Sequence, residues 1–427
     1  MENFDSPSYK RSRRAYVIQA ALEYFISLLV ADAFLAKLLV SIGISDALTG
    51  VISSITTIAF GFQLLSLFVV RLRISKKKLV LTMDTISILF FLFLYLIPFL
   101  PFDKTVKTVF VVVGIVLAYM FKYVSLSIYS RWANTFVDPT QRASFSAAKE
   151  MVSLFSGIFF TLIVGYVIDY YEAIDNINGG FLFVAIATLI LNVCNFICIA
   201  TIKKEKPEDF AGAGEPMKTV LSKTLGNKSF RNVTILISLS QIGRYFTVGF
   251  LGVYKTKDLA LSLLMIQVIN TVACVARMLV SKPFGRYTDR NSFAKGMKLG
   301  LWLVAASFFV CIFTTKSTWY LIVVHTVLYY CGLAGIIQNE TNILYSYVDA
   351  KYFAQALAIK NCIVGVLAFA ASIAAGKILD IIQSNGNTVF GISASGQQVL
   401  SIITVVITLC AILYNTKVIE KQKIMIQ

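Results

Sequence analysis

Residues 143–169, ASFSAAKEMVSLFSGIFFTLIVGYVID, form a long, mostly apolar run that decides the fold, because its characteristic residues recur once in the chain. Residues 354–380, AQALAIKNCIVGVLAFAASIAAGKILD, repeat them at a constant offset of 211 positions. The shared residues are Ala143 and Ala354, Ala147 and Ala358, Lys149 and Lys360, Gly165 and Gly376, and Asp169 and Asp380. Similarity at a fixed offset is typical of an internal repeat. We therefore predict that the chain consists of two related halves.

Two shorter matches support the repeat. Residues 73–78 (RISKKK) correspond to residues 290–295 (RNSFAK), and residues 23–25 (EYF) correspond to residues 244–246 (RYF). Each match is weak alone. Three matches in the same order in both halves are hard to ascribe to chance, and they predict parallel repeats of one architecture.

Long apolar runs account for most of the chain. Of its 427 residues, 57% are hydrophobic and 14% are charged, and the mean hydropathy is +0.77. A soluble domain carries about 25% charged residues, whereas about 20 apolar residues in a helix span the hydrocarbon core of a bilayer. The runs are too long and too uniformly apolar for the alternating strands of a membrane barrel. We therefore predict an all-α membrane protein.

Twelve transmembrane helices are predicted, in two pseudo-symmetric bundles of six. They lie near residues 16–43, 47–70, 79–101, 106–129, 149–169, 180–202, 232–254, 259–281, 296–315, 318–345, 358–381 and 397–416. The polar stretch of residues 203–231 separates an N-terminal bundle, residues 1–202, from a C-terminal bundle, residues 232–427. Apolar residues spaced among lysines in the second part of this stretch predict a short amphipathic helix on the inner membrane surface.

The net charge of +17 is distributed unevenly between the two ends of the predicted helices. Basic clusters at residues 10–14, 71–78 and 282–298 fall in the N-terminus and in even-numbered connections. Because cytoplasmic loops are enriched in lysine and arginine, we predict a multi-pass plasma-membrane protein with both termini in the cytoplasm. The clusters also suit the anionic headgroups of membrane lipids. Since the charge is an orientation signal, it does not indicate binding to nucleic acid.

The loop after the eighth predicted helix carries a recognisable motif, GRYTDRNSFAK. It matches the pattern G-x-x-x-D-R-x-G/S followed by a basic residue, at Gly285, Asp289, Arg290, Ser292 and Lys295. The chain thereby resembles the major facilitator superfamily, and the resemblance covers its whole length. The corresponding first-half loop is a degraded copy, with Phe68 where Gly is expected and Leu72 where Asp is expected.

The resemblance implies a gate at the cytoplasmic side. In the family, the Asp of the motif sits near the N-terminus of a helix in the other half, where the helix dipole favours a carboxylate by roughly 0.3–1 kcal/mol. By position, Asp289 is expected to face the start of the fifth helix, near Arg142 and Lys149. Gly285 is expected to allow a close approach between helices.

The remaining gate residues are also placed by the resemblance. Arg290 is expected to bridge to Asp349 or Glu340, and Lys360 is expected to face the first-half loop, which lacks its Asp. These assignments imply an asymmetric gate that depends mainly on the second-half motif. The alternative for residues 71–78 is that their charges only set the orientation in the membrane.

Ionisable residues within spans cost about 2.5–3.5 kcal/mol each on insertion scales and normally face a cavity or a partner. Such residues are Glu23, Asp32, Lys122, Arg244, Arg277 and His325. In the family, helices one, four, seven and ten line the central cavity, so the resemblance implies that three of these residues contact the solute: Glu23, Lys122 and Arg244. Neighbouring rings and amides complete the predicted cavity: Tyr24, Gln241, Tyr245 and Asn270.

Two alternatives are left open by these residues. Glu23 is either part of the solute site or one half of a structural ion pair with Lys122 or Arg244. His325 is either a proton relay, because its pKa is ordinarily close to physiological pH, or a packing residue. Glu23 is also the candidate proton acceptor, since desolvation favours the neutral form of a carboxyl group.

We interpret the chain as a secondary transporter of a small polar or charged solute that works by alternating access. The sequence has no P-loop pattern and no soluble segment large enough to bind ATP, so an ion gradient must drive active transport, and protons are the candidate ion. The alternative is a transporter-like receptor or assembly factor that binds without translocating. We expect a monomer that uses no cofactor or metal and that is not an enzyme, since the loops show no catalytic constellation.

Overall fold

The protein is helical almost throughout in a computed structural model, which describes residues 6–69, 74–133, 135–137, 142–203, 217–346, 353–389, 392–393 and 395–422. In the first half the helices are α1 (Pro7–Leu29), α2 (Asp32–Ser41), α3 (Asp46–Ser53), α4 (Ile55–Ala59), α5 (Ser66–Val69), α6 (Lys76–Leu96), α7 (Lys104–Ala133), α8 (Arg142–Ala173) and α9 (Ile177–Thr201). In the second half they are α10 (Met217–Gly226), α11 (Lys228–Tyr245), α12 (Leu251–Val253), α13 (Leu263–Arg290), α14 (Phe293–Ile312), α15 (Leu321–Tyr345), α16 (Phe353–Ser384) and α17 (Gly396–Tyr414). Short 3-10 helices cover Phe60–Leu65, Ile97–Phe99 and Val248–Phe250, and π-helical turns cover Tyr254–Asp258 and Asn415–Ile419.

The predicted number of spans is confirmed among the described residues. Eleven helical stretches are long and apolar enough to cross a membrane by themselves. A twelfth span comes from α1 and α2, which meet the same criterion together. The fold class is therefore the predicted one, an all-α membrane protein with twelve transmembrane spans.

The first span is broken, where the prediction has one continuous helix over residues 16–43. The axes of α1 and α2 differ by 44°, and Ala31 between them is extended, with φ −137° and ψ 165°. Asp32 follows with a φ of 44°, which is unfavourable for a residue with a Cβ. Hydropathy measures polarity and not backbone conformation, so it gives no sign of the break.

One compact unit consists of residues 1–44, 62–213 and 262–267. Within it α1 packs on α8 and α9, and α6 packs on α7 and α9. A core of Tyr129, Trp132 and Phe136 on or just after α7 is joined by apolar residues of α1, α6 and α9. The rings of Tyr129 and Trp132 lie 5.6 Å apart. This core fixes the position of α7 against the other three helices.

The second compact unit consists of residues 45–61, 214–261 and 268–427. Within it α14 packs on α15 and α17, and α11 packs on α16 and α17. Helices α3 and α4 lie along α16, where the Ser372 hydroxyl donates to the Ser54 hydroxyl at 2.8 Å. Residues 45–61 thus pack with second-half helices. The predicted division of the chain into bundles at residues 202 and 232 stays a prediction.

Two smaller elements lie outside the spans. Helix α10 falls in the predicted linker, and Asn227 after it caps α11 by accepting hydrogen bonds from the backbone N–H groups of Ser229 and Phe230. A two-residue antiparallel pair joins β1 (Thr388–Val389) and β2 (Ile392–Ser393) between α16 and α17. The Asn227 cap explains why the seventh span begins where it does, since a capped helix start satisfies orphan N–H groups.

Replacing Gly365 by alanine should destabilise the second unit. A Cβ atom at this position of α16 would lie 2.1 Å from the carbonyl oxygen of Thr57, and overpacking costs about 1–3 kcal/mol. The apparent melting temperature of the purified protein should therefore fall. The matched control is Gly285→Ala, because a Cβ there meets no described atom within 4 Å. Equal melting temperatures for the two variants would contradict the close packing of α4 on α16.

Candidate functional site

A cavity of about 390 Å³ lies within the first unit. It is lined by residues of α1, α7 and α8: Ala20, Glu23, Tyr24, Ser27, Lys122, Lys149, Glu150 and Ser153. Four of these eight residues are ionisable acids or bases, in helices that otherwise consist largely of apolar residues. Such groups normally face a cavity or a partner within a membrane, and here they do both.

Glu23 and Lys122 form the ion pair at this cavity. The Nζ atom of Lys122 lies 3.4 Å from Oε1 of Glu23, and the two side chains are 12% and 16% exposed, respectively. The side-chain amide of Gln19, one turn earlier on α1, donates to the other Glu23 oxygen at 3.1 Å. The structure thus brings together two predicted site residues, and the carboxylate is satisfied on both oxygens.

Lys149 and Glu150 lie on α8, where the cavity is wider and more exposed. The Nζ atom of Lys149 donates to the Tyr16 hydroxyl at 3.3 Å and lies 4.9 Å from the centre of the same ring. Lys149 was predicted as a gate residue, and its side chain also lines this cavity. The resemblance gave Lys149 a gate role from its position in the sequence. In the structure Lys149 and Ser153, one turn apart on α8, both line the cavity.

The second unit has its own polar group, centred on Arg244 of α11. Its Nε donates to the Tyr329 hydroxyl at 3.1 Å, and its Nη1 donates to Oε1 of Gln241 at 3.2 Å. The rings of Tyr245 and Tyr329 lie 5.8 and 5.6 Å from the guanidinium carbon. Asn270, the last predicted cavity residue, lies half-buried on α13 of the same unit. Arg244 is therefore held by neutral groups among the described residues.

His325 is a packing residue in this structure. It is 1% exposed, its Nδ1 lies 2.9 Å from the Ser307 carbonyl oxygen, and its ring stacks on Tyr329 at 6.0 Å. It reaches the Arg244 group only through Tyr329. Of the two roles left open by the sequence, its contacts are those of the packing role.

The loop motif follows the end of α13 and the start of α14. Arg290 is the last residue of α13, and the Ser292 hydroxyl accepts from the backbone N–H of Lys295 at 3.2 Å, which caps α14. Asp289 and Lys295 are exposed. No described atom lies within 4 Å of a Cβ built at Gly285, and the close helix approach expected there stays a prediction. The contact predicted for Asp289 with the start of α8 stays a prediction.

Other gate residues have different partners from those expected. Lys360 of α16 donates to Oε1 of Glu340 on α15 at 2.5 Å, so Glu340 binds this lysine and not Arg290. Lys360 is 2% exposed, and a buried ammonium requires such a carboxylate. The sequence missed this pair because both residues were assigned to partners elsewhere. Arg142 is the first residue of α8, which begins seven residues before the predicted span 149–169, while Asp349 and Leu72 lie outside the described residues.

Sequence reasoning missed a polar cluster in the second unit. There the Asp46 carboxylate accepts from Nζ of Lys257 at 2.8 and 3.0 Å and from the Gln383 amide at 3.0 Å. Asp46 lies at the start of α3, and Gln383 lies near the end of α16. The cluster therefore ties residues of the first half to residues of the second half within one compact unit.

Asp169 makes a further polar contact, within the first unit. Its two carboxylate oxygens accept from the backbone N–H groups of Leu263 and Leu264 at 2.9 and 2.7 Å, which caps α13. Gly165 lies beside the same turn, where a Cβ would be 3.3 Å from Leu264 backbone atoms. Both Asp169 and Gly165 were found in the sequence repeat, but the repeat gave no partner for them.

Asp84 on α6 is a further ionisable residue that the sequence analysis did not single out. It is 5% exposed and accepts a hydrogen bond from the side-chain amide of Asn195 on α9. The charges of Glu23 and Lys122 lie within electrostatic range of it. The sequence contained a signal for this residue, because Asp84 is an ionisable residue inside the predicted span 79–101. Like Glu23, it should therefore face a cavity or a partner.

A double-mutant cycle should show that Glu23 and Lys122 depend on each other. Because removing one partner of a buried pair leaves an uncompensated charge, Glu23→Gln or Lys122→Met alone should cost up to about 3–5 kcal/mol. The double variant should recover most of that loss. Thermal unfolding of the four proteins in detergent measures the effect, and additive losses would show that the ion pair has no energetic role.

Removal of the Asp169 carboxylate should loosen the start of α13. Asp169→Ala leaves two N–H groups without their acceptor, and loss of a helix cap costs about 0.5–2 kcal/mol. Hydrogen exchange measured by mass spectrometry should therefore speed up in residues 262–267. Asp380→Ala is the matched control, since Asp380 occupies the equivalent repeat position but is exposed. Unchanged exchange in Asp169→Ala would refute the cap.

The chain is similar in structure to solved membrane transporters over nearly its whole length. A mutant of the nucleoside transporter NupG matches with a TM-score of 0.73 at 16% identity, over 95% of this chain and 99% of that chain. A bacterial homolog of the human lysosomal transporter Spinster, in an inward-facing and unoccupied conformation, matches with 0.72 at 12%, over 98% and 99%. The POT family transporter PepTSo matches with 0.71 at 11%, over 96% and 99%. No family model and no curated protein sequence matches the chain. The chain therefore has the fold of these transporters, which is the fold implied by its resemblance to the major facilitator superfamily.

Proposed function

We propose that this protein is a secondary transporter that moves a small polar or charged solute across the plasma membrane by alternating access, with both termini in the cytoplasm. The transporter fold supports the proposal. The observation that carries it is the cavity within the first unit, which contains the Glu23–Lys122 ion pair at a distance of 3.4 Å. Ionisable groups kept in a membrane at such cost normally mark a solute or ion pathway.

The chemistry of this cavity favours a polar solute. Lys122 and Lys149 offer ammonium donors, while Glu23 and Glu150 offer carboxylate acceptors. Tyr24 adds an aromatic ring beside them. Ligand sites typically combine apolar walls with a few placed polar groups that fix orientation. A solute that carries both hydrogen-bond donors and acceptors is therefore a better fit than an apolar one.

Arg244 adds a preference for an anionic group on the solute. A guanidinium has five N–H donors, and two of them are engaged with Tyr329 and Gln241. No carboxylate contacts it among the described residues, and Glu340, whose charge it feels, is bound by Lys360. A carboxylate or phosphate suits the remaining donors, because arginine binds both in a bidentate geometry. We therefore propose Arg244 as a residue that contacts the solute.

The alternative function is a receptor or assembly factor that binds without translocating. The degraded first-half loop motif favours this alternative, because it removes one of the two gate copies. The proposed transporter acts as a monomer without a cofactor, and an ion gradient supplies its energy. Exchange of solute across a sealed membrane distinguishes the two functions, since a receptor binds without exchange.

Solute counterflow in proteoliposomes should reveal exchange by the purified protein. The panel should contain nucleosides, small peptides, amino acids, organic acids, sugars and cationic drugs, each tested with and without an anionic group where matched pairs exist. We expect time-dependent exchange with a solute that carries a carboxylate or phosphate. Binding of a solute without any exchange would overturn the transporter proposal in favour of the receptor.

The role of Arg244 is tested with the same solute. Arg244→Gln should lower exchange by tenfold or more, since a hydrogen bond to a charged group contributes about 1.5–3 kcal/mol. Arg244→Lys should retain part of the activity, because it keeps the charge but loses the planar fork. The matched control is Arg231→Gln on the same helix, where the arginine is exposed. An equal loss in the control would assign the effect to the helix and not to the site.

A further inference from the structure

Asp84 is a buried carboxyl group whose contacts are unusual for an ionised one. It lies in the middle of α6 and is 5% exposed. Its hydrogen bond comes from a neutral group, the Nδ2 amide of Asn195, at 2.5 Å. A carboxylate removed from water normally requires a cation or several donors. A single neutral donor stabilises an ionised carboxylate less than a cation or several donors do.

The charged groups that face Asp84 favour a bound proton. Lys122 on α7 is within electrostatic range, but its ammonium is engaged by Glu23 at 3.4 Å. Glu23 on α1 adds a negative charge to the same neighbourhood. Tyr129 on α7 is a further titratable neighbour of Asp84, and a tyrosine is ordinarily neutral at physiological pH. One cation thus lies within range of two carboxyl groups.

The second observation concerns the side-chain oxygen of Asn195, Oδ1. Oδ1 of Asn195 is buried and has no hydrogen-bond partner in the part of the chain that the structure describes, and Asn195 is 0% exposed. Buried acceptors are nearly always satisfied, so this oxygen requires a donor. A protonated Asp84 supplies one, because its O–H group can donate to Asn195 Oδ1 while the Asn195 N–H donates back. The ionised form has no hydrogen to give, and the acceptor then remains unsatisfied.

We propose that Asp84 and Asn195 form a proton-binding site, in which the Asp84 carboxyl group carries the proton and the Asn195 side chain forms a reciprocal pair of hydrogen bonds with it. The reaction is the release of one proton from the Asp84 carboxylic acid to give the carboxylate. This assignment replaces Glu23, the candidate from sequence, because Glu23 already has Lys122 and Gln19 as partners.

Proton release at Asp84 would act on the candidate solute cavity through Lys122. A second negative charge near this lysine competes with Glu23 for it, which weakens the ion pair that lines the cavity. Binding of a proton returns Lys122 to Glu23. This link to transport rests on the proposed function, whereas the proton site itself does not.

Infrared titration of the purified full-length protein in lipid nanodiscs tests the site. The wild-type protein should show a C=O stretching band of a protonated carboxylic acid at neutral pH that disappears as the pH is raised. Asp84→Asn should lack this band, and the matched control Asp380→Asn should keep it. Glu23→Gln should lose the band at a lower pH than the wild type, because a neighbouring negative charge has been removed. A structural role alone would not move the titration in this way.

Carbodiimide labelling of the wild-type protein gives an answer even if Asp84→Asn fails to fold. The reagent reacts with protonated carboxyl groups in apolar surroundings, and peptide mass spectrometry locates the adduct. We expect pH-dependent labelling of Asp84. The proposal is overturned if the band persists unchanged in Asp84→Asn, or if the wild type shows neither a titrating band nor label at Asp84. A titrating Asp84 without counterflow would retain the proton site and reject the transporter.

Discussion

The absence of water from the hydrocarbon core is the constraint on which the rest of this structure depends. Every backbone group must find its partner within a helix, and every charge within a span must find a partner or a cavity. Two pairs of charged residues illustrate this rule. Glu23 binds Lys122 at 3.4 Å, and Glu340 binds Lys360 at 2.5 Å. Each pair joins two helices, so the same contact that neutralises a charge also fixes the relative position of the helices that carry it.

The repeat explains the scaffold, and the differences between its copies indicate function. Lys149 and Lys360 occupy equivalent positions, but Lys149 lines a cavity beside Tyr16 while Lys360 is buried against Glu340. Asp169 caps α13, whereas its equivalent Asp380 is exposed. The helices that carry the longest match, α8 and α16, are both 32 residues long. The contacts of each copy then depend on the neighbouring helix, which the duplication does not constrain.

Much of the fold could be predicted from sequence because it follows from composition and helix length. The number of predicted spans, twelve, agrees with the structure. The break before Asp32 could not be predicted, since it depends on backbone torsions. At the candidate site, a charge inside an apolar run was sufficient to find Glu23 and Lys122. The pairing of Asp84 with Asn195 joins residues 111 positions apart, and a single sequence gives no signal for such a contact.

The distribution of charge differs between the two units in a way that bears on coupling. In the first unit one lysine, Lys122, binds Glu23 and lies within electrostatic range of a second carboxyl group, Asp84. In the second unit Arg244 keeps its charge under all physiological conditions, and its contacts are with neutral side chains among the described residues. In the proposed transporter, the Asp84 carboxyl group would bind and release the proton, and the permanently charged guanidinium of Arg244 would bind an anionic group of the solute.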